Sequence, residues 1–78
     1  MIVEVPNCQW WVEIDEMLYP FCPCNVYIDD YLIDEVAFDF DTGKFDCVEE
    51  SSIKNHEGYE SKIKLLEKEV MRVWKSEH

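Results

Sequence analysis

The stretch NVYIDDYLIDEVAFDFDTGKF, residues 25–45, decides the fold. Its apolar residues alternate in one phase, with Val26, Ile28, Leu32, Val36, Phe38 and Phe40 on one side. Period-two alternation marks a half-buried strand, because successive side chains leave a pleated backbone on opposite faces. The sixteen residues from Asn25 to Phe40 exceed an ordinary strand, and Asp29-Asp30 supplies the turn that breaks them. Strands are expected at about 25–28 and 31–40. Asp41-Thr-Gly-Lys44 then reads as a tight hairpin. Opposing Asp41 to Lys44 aligns Phe40 with Phe45 and Phe38 with Cys47, so that apolar meets apolar. Thr42 suits positive φ poorly, and a bulged turn built on Gly43, with a local change of register, is the alternative.

Upstream, Cys8, Trp10, Val12 and Ile14 alternate with Gln9, Trp11, Glu13 and Asp15, a second half-buried strand. Tyr19-Pro-Phe-Cys-Pro-Cys24 is expected to interrupt the sheet, since each proline removes a backbone donor and fixes φ. Downstream the period changes. Tyr59, Ile63, Leu66, Val70 and Val73 step by 4, 3, 4 and 3, one face of a helix that Trp74 extends. Glu60 and Lys64 stand at i, i+4 on the polar side. Asn55 is the expected N-cap with Glu57 in the first turn, although Gly58 places the first firm turn near Tyr59. Leu65 and Met71 flank the stripe and point to a monomer or weak dimer.

The expected architecture is one α+β domain over residues 1–78. An antiparallel sheet of about four strands fills roughly residues 8–50, and one C-terminal amphipathic helix, at about 56–76, packs on one face. The other face should present Trp11, Glu13, Asp15, Glu35, Ala37, Asp39, Asp46 and Val48.

Charge carries the functional reading. The formal net charge is −11, and thirteen of the eighteen acids but one of the seven bases, Lys44, lie within residues 1–53. That segment nets −12 and the remainder +1. Such a surface repels nucleic acid and attracts basic partners, with encounter speeded at low salt. Carboxylates on neighbouring strands are expected at spacings comparable with those of phosphates on a duplex. The partner-binding set is Trp11, Glu13, Asp15, Asp29, Asp30, Glu35, Asp39, Asp41 and Asp46, with Trp11, and also Tyr27 and Tyr31, as apolar anchors. The partner is a basic protein surface, most naturally on a nucleic-acid-binding protein or complex, with no direct nucleic acid and no membrane contact. The competing reading is a solvated face that keeps a small module soluble.

Chemistry is thinly represented. Cys22-Pro-Cys24 with Cys8 and Cys47 offers the four thiolates of a tetrahedral zinc, but zinc sites usually use paired C-x₂₋₄-C knuckles. Cys8 and Cys47 also fit the inward alternation as small hydrophobes, so the reading is reduced thiols and no cofactor, with a zinc-stapled structural or adaptor module as the alternative. Asp39, Asp41 and Glu50 match three positions of a calcium loop, but Lys44 stands where its glycine is required. His56 and His78 have no nucleophile to activate, and no phosphate loop, dinucleotide fingerprint or zinc-protease motif occurs. A non-enzymatic protein is expected. No stretch reaches the roughly 20 apolar residues of a membrane span, and Met1-Ile-Val-Glu-Val-Pro6 lacks a secretory pattern, so a cytoplasmic location is expected.

In size, compactness and the acidic 1–53 segment, with its Asp39-Phe-Asp41 and Glu49-Glu50 clusters, the chain resembles the small acidic inhibitors that phages make against host defences, the anti-CRISPR and DNA-mimic group. The resemblance covers the whole chain and implies a stoichiometric inhibitor acting in the host cytoplasm. Its target would be a host nuclease, restriction enzyme, CRISPR effector or transcription protein, blocked without chemistry. That group shares no common sequence, so the resemblance transfers no individual residue.

Overall fold

The period-two segments can bury their apolar sides only by pairing edge to edge beneath a common cover, and the C-terminal helix is that cover. The computed structural model describes residues 1–77. Five strands, β1 (Ile2–Glu4), β2 (Trp10–Glu13), β3 (Phe21–Ile28), β4 (Tyr31–Asp39) and β5 (Lys44–Phe45), precede helix α1 (Tyr59–Glu77). They form one antiparallel meander in chain order. The sheet therefore has five strands where the sequence suggested about four. The additional β1 is three residues long, too short to show a period, and it exists because Val3 pairs with Val12 and buries its side chain.

The inner face carries Trp10, Val12, Ile14, Cys22, Cys24, Val26, Val36, Phe38, Phe40 and Phe45, all buried, against Ile63, Leu66 and Val70 of α1. Phe38 is fully buried and meets Phe40 and Phe45 edge-on, with centroids 5.1 and 5.0 Å away. Trp74 closes one end, with its ring stacked on Phe40 and Tyr19.

Four sequence expectations are corrected. Tyr19 to Cys24 does not interrupt the sheet, for β3 runs straight through Pro23. β2 pairs only with Asn25–Ile28, so the first half of β3 is a sheet edge, where a proline without N–H is tolerated. A bulge opposite Val26 and Tyr27 leaves Ile33 unpaired and inverts the phase there, so Leu32 faces outward, 57% exposed, while Ile33 packs on the core. The β4–β5 hairpin takes the Gly43 alternative, with Gly43 at φ 73° and Phe38, not Phe40, opposite Phe45. This shift ends β5 at Phe45, leaving Cys47 exposed at φ 61° and Val48 half-buried in a 3₁₀ turn, neither in a strand. Finally, Asn55 ends a second 3₁₀ turn, Ser52–Asn55, capped by Ser51, and α1 starts beyond Gly58 (φ 74°).

Asp34 joins β4 to that second turn. Its carboxylate accepts from the backbone N–H of Ser52 (3.1 Å) and of Glu35 (2.8 Å), and from the Ser52 hydroxyl (3.4 Å). The Ser52 N–H is the main reason its pKa lies below the usual carboxylate value. A depressed folded-state pKa stabilises above the ordinary carboxylate pKa and loses that contribution as pH falls. Asp34→Ala is expected to cost about 1 kcal/mol near neutral pH in urea unfolding. The gap to the parent chain should close as pH drops below about 4, and a gap independent of pH would show that the carboxylate charge is not what holds the junction.

Candidate functional site on the outer sheet face

Because α1 occupies the inner face, the outer one has no cover. The register places its side chains in rows across the strands. Glu4, Trp11, Tyr27 and Leu32 form one row, then Ile2, Glu13, Asn25 and Glu35, then Pro23 and Ala37, then Phe21, Asp39 and Lys44. Large apolar groups stand uncovered among the acids: Ile2 is 56% exposed and Phe21 53%, and Tyr31 at the β3–β4 tip is 74%. Lys44, at the far edge, is the only base that the strands contribute.

Trp11 is the most constrained group on this face. It lies flat on Tyr27, with centroids 4.2 Å apart and planes 5° from parallel, and its indole N–H donates to the Asp29 carbonyl at 2.6 Å. The stack presents a rigid, half-exposed aromatic edge beside the acids, at little entropic cost to a partner.

The acids are interleaved, not continuous. Glu13 and Glu35 flank Asn25 on neighbouring strands, two strand spacings or about 10 Å apart, and the Asn25 amide donates to Glu13 at 3.4 Å. A polar amide therefore separates these two carboxylates across the sheet. Asp15, Glu16 and Glu35 rim a recess of about 190 Å³ with Leu18, Pro23 and Asn25. A neighbouring recess of about 210 Å³ is lined by Phe21, Pro23, Glu35, Val36 and Ala37. An acidic recess and a largely apolar one thus share the Pro23–Glu35 wall, a shape suited to an arginine or lysine with an apolar neighbour.

Trp11, Glu13, Asp15 and Glu35 of the sequence set therefore come together. Asp39 and Asp46 lie at the β5 edge, where both border the same recess as Lys44. Asp39 is further committed, its carboxylate accepting from the N–H of Asp41 (2.8 Å) and Thr42 (3.4 Å). Asp29 and Asp30 sit at the β3–β4 turn, with Asp29 at φ 53°. Asp41 belongs elsewhere, for the Tyr19 hydroxyl donates to its carboxylate beside Trp74. Sequence reading missed Glu16, Phe21 and the outward Leu32. The first two lie outside the clean alternation, and the third depends on the bulge.

The thiols do not gather. Cys22 and Cys24 are buried in β3, donating to the carbonyls of Glu16 and Cys22 respectively, both at 3.3 Å. Burial is the largest influence pushing the Cys24 thiol far up. Cys8 is half-buried and Cys47 exposed. Among the described residues no three His, Cys, Asp or Glu side chains converge as a metal-binding group, so neither Cys8, Cys22, Cys24 and Cys47 nor the Asp39, Asp41 and Glu50 set forms a site. His56 packs edge-on against Trp10, with centroids 5.9 Å apart. No helix is long and apolar enough to cross a membrane.

Comparison with protein-family models, with curated proteins and with solved structures finds no match.

The thiols give a check on the inner and outer assignment. Under native conditions a disulfide reagent should modify Cys47, and Cys22 and Cys24 only on unfolding. The Asp46 charge raises the Cys47 pKa, so its labelling should accelerate with added salt. Equal reactivity of all four in the folded protein would contradict this placement.

Proposed function

We propose that this protein is a stoichiometric binding protein whose outer sheet face docks on a basic surface, most naturally the nucleic-acid-binding site of a host defence or nucleic-acid-processing protein, and blocks it. The observation that carries the reading is the composition of the uncovered face, on which Glu4, Glu13, Asp15, Glu16 and Glu35 surround exposed Ile2, Phe21 and Leu32 and the Trp11–Tyr27 stack. A face kept merely soluble would not expose large apolar groups together. At about 3.4 Å per residue and 4.8 Å between strands, the five strands make a face of roughly 420 Å², about half of the 800 Å² that each partner gives a stable complex, and the flanking turns with exposed Tyr31 and Leu18 widen it. The division of labour follows from physics. Carboxylates hasten and orient encounter, and desolvated aromatic and aliphatic groups supply affinity.

The interleaving of acids with exposed apolar groups supports complementarity to a basic patch with apolar neighbours. The alternative of a small zinc-stapled module loses the convergent thiols it would need.

The test is capture of nucleic-acid-binding proteins from a host lysate, read by mass spectrometry, with and without competing duplex DNA. The parent chain should retain a specific protein that DNA displaces, while the Glu13→Lys, Asp15→Lys, Glu35→Lys triple variant, folded by circular dichroism, should lose it. Identical capture by parent and variant, or retention unaffected by DNA, would overturn the proposal.

A further inference from the structure

Five of the seven basic side chains gather around one groove between α1 and the β4–β5 hairpin, with Lys44 shared between it and the edge of the outer face. Lys64, Lys68, Arg72 and Lys75 line it from the helix, Lys44 from the hairpin, and Met71 forms an apolar wall close to Gly43. Its volume is about 500 Å³. The helical bases step by 4, 4 and 3, one stripe about 16 Å long at 1.5 Å per residue.

This stripe is only partly neutralised from within. Arg72 pairs with Glu69, and that is the only ion pair among the described residues, so Lys44, Lys64, Lys68 and Lys75 make none. The single carboxylate in the groove, Glu67, is directed at the backbone, accepting the Phe45 N–H at 2.9 Å. Burial is the main cause of its raised pKa, while Lys44 and Lys64 pull it the other way, so Glu67 offsets part of their charge. Lys64, Lys68 and Arg72 follow one another at i, i+4, an arrangement that costs helix stability unless an anion lies across it.

We propose that the groove is a binding site for a linear oligophosphate, a chain of three or more phosphoryl groups. Flexible ammonium groups act as point charges for phosphate and impose no planar geometry. A single phosphate reaches neighbouring cations only, whereas a chain running along the stripe engages the whole row. A long nucleic acid is disfavoured, because beyond Lys64 the surface continues into a cavity bordered by Glu49, Glu50 and Glu60. The negative net charge does not forbid the site. At physiological salt a charge is screened within about 8 Å, so the sheet acids that bear on the groove are Asp39 and Asp46, which border a recess with Lys44. The inference is independent of the docking proposal, since it uses none of that face's acids.

Titration calorimetry with sodium tripolyphosphate, ATP and orthophosphate, at about 0.15 M salt without divalent cations, tests it. Tripolyphosphate should bind one to one, with orthophosphate at least about tenfold weaker. The Lys64→Gln, Lys68→Gln variant should lose about tenfold or more, and Lys54→Gln, Lys62→Gln, outside the groove, should match the parent chain. Amide shifts on titration should concentrate at 42–44 and 64–75. Equal affinity for ATP and tripolyphosphate would identify the phosphate chain itself as the ligand, and tighter ATP binding would identify a nucleotide. Either supports the site. Absence of saturable tripolyphosphate binding, or equal loss in both lysine pairs, would overturn it.

Discussion

One helix can cover one face of a sheet. The contact of Ile63, Leu66 and Val70 with the buried row around Phe38 is therefore the interaction on which the rest of the molecule depends. A chain of this length supports a single core, and each fully buried Leu, Val or Phe contributes about 1.5–3 kcal/mol towards it. Spending the helix on the inner side leaves the outer side in water. Everything written on that outer side is then a choice about solvent or partners, since no core demands it.

The charge pattern follows the same division. The segments outside α1 supply fourteen of the eighteen acids, whereas α1, which carries the other four, and the one base at the sheet edge supply the groove cations. An ordinary surface would intersperse the two signs and set them against each other, but among the described residues a single ion pair forms, within α1. Screening at physiological salt lets each cluster act locally. One side attracts cations and carries uncovered apolar groups, and the other concentrates ammonium groups over a Met71 wall.

What the sequence disclosed and what it hid have physical reasons. Periodicity located β2, the second half of β4 and α1 because those segments bury one side, and the inward Trp10, Val12, Ile14, Val36 and Phe38 could be read directly. Features set by pairing were not legible. β1 is defined by its partner, and Pro23 is tolerated because β2 stops short of it. One unpaired residue at Ile33 reverses Leu32, and left-handed backbone at Gly43 and Cys47 moves the hairpin register and ejects a cysteine. At the candidate site, Trp11, Glu13, Asp15 and Glu35 could be read from alternation alone. Glu16, Phe21 and the basic groove could not, because turns and the packing of helix against hairpin bring them into place.

The central claim is that opposite charges occupy opposite sides of this fold in solution. Paramagnetic relaxation of backbone amides by a cationic and by an anionic nitroxide of the same size measures this directly. The account predicts that the cationic probe acts preferentially on residues 11–16 and 35, and the anionic probe on 64–75. Indistinguishable profiles from the two probes would contradict it.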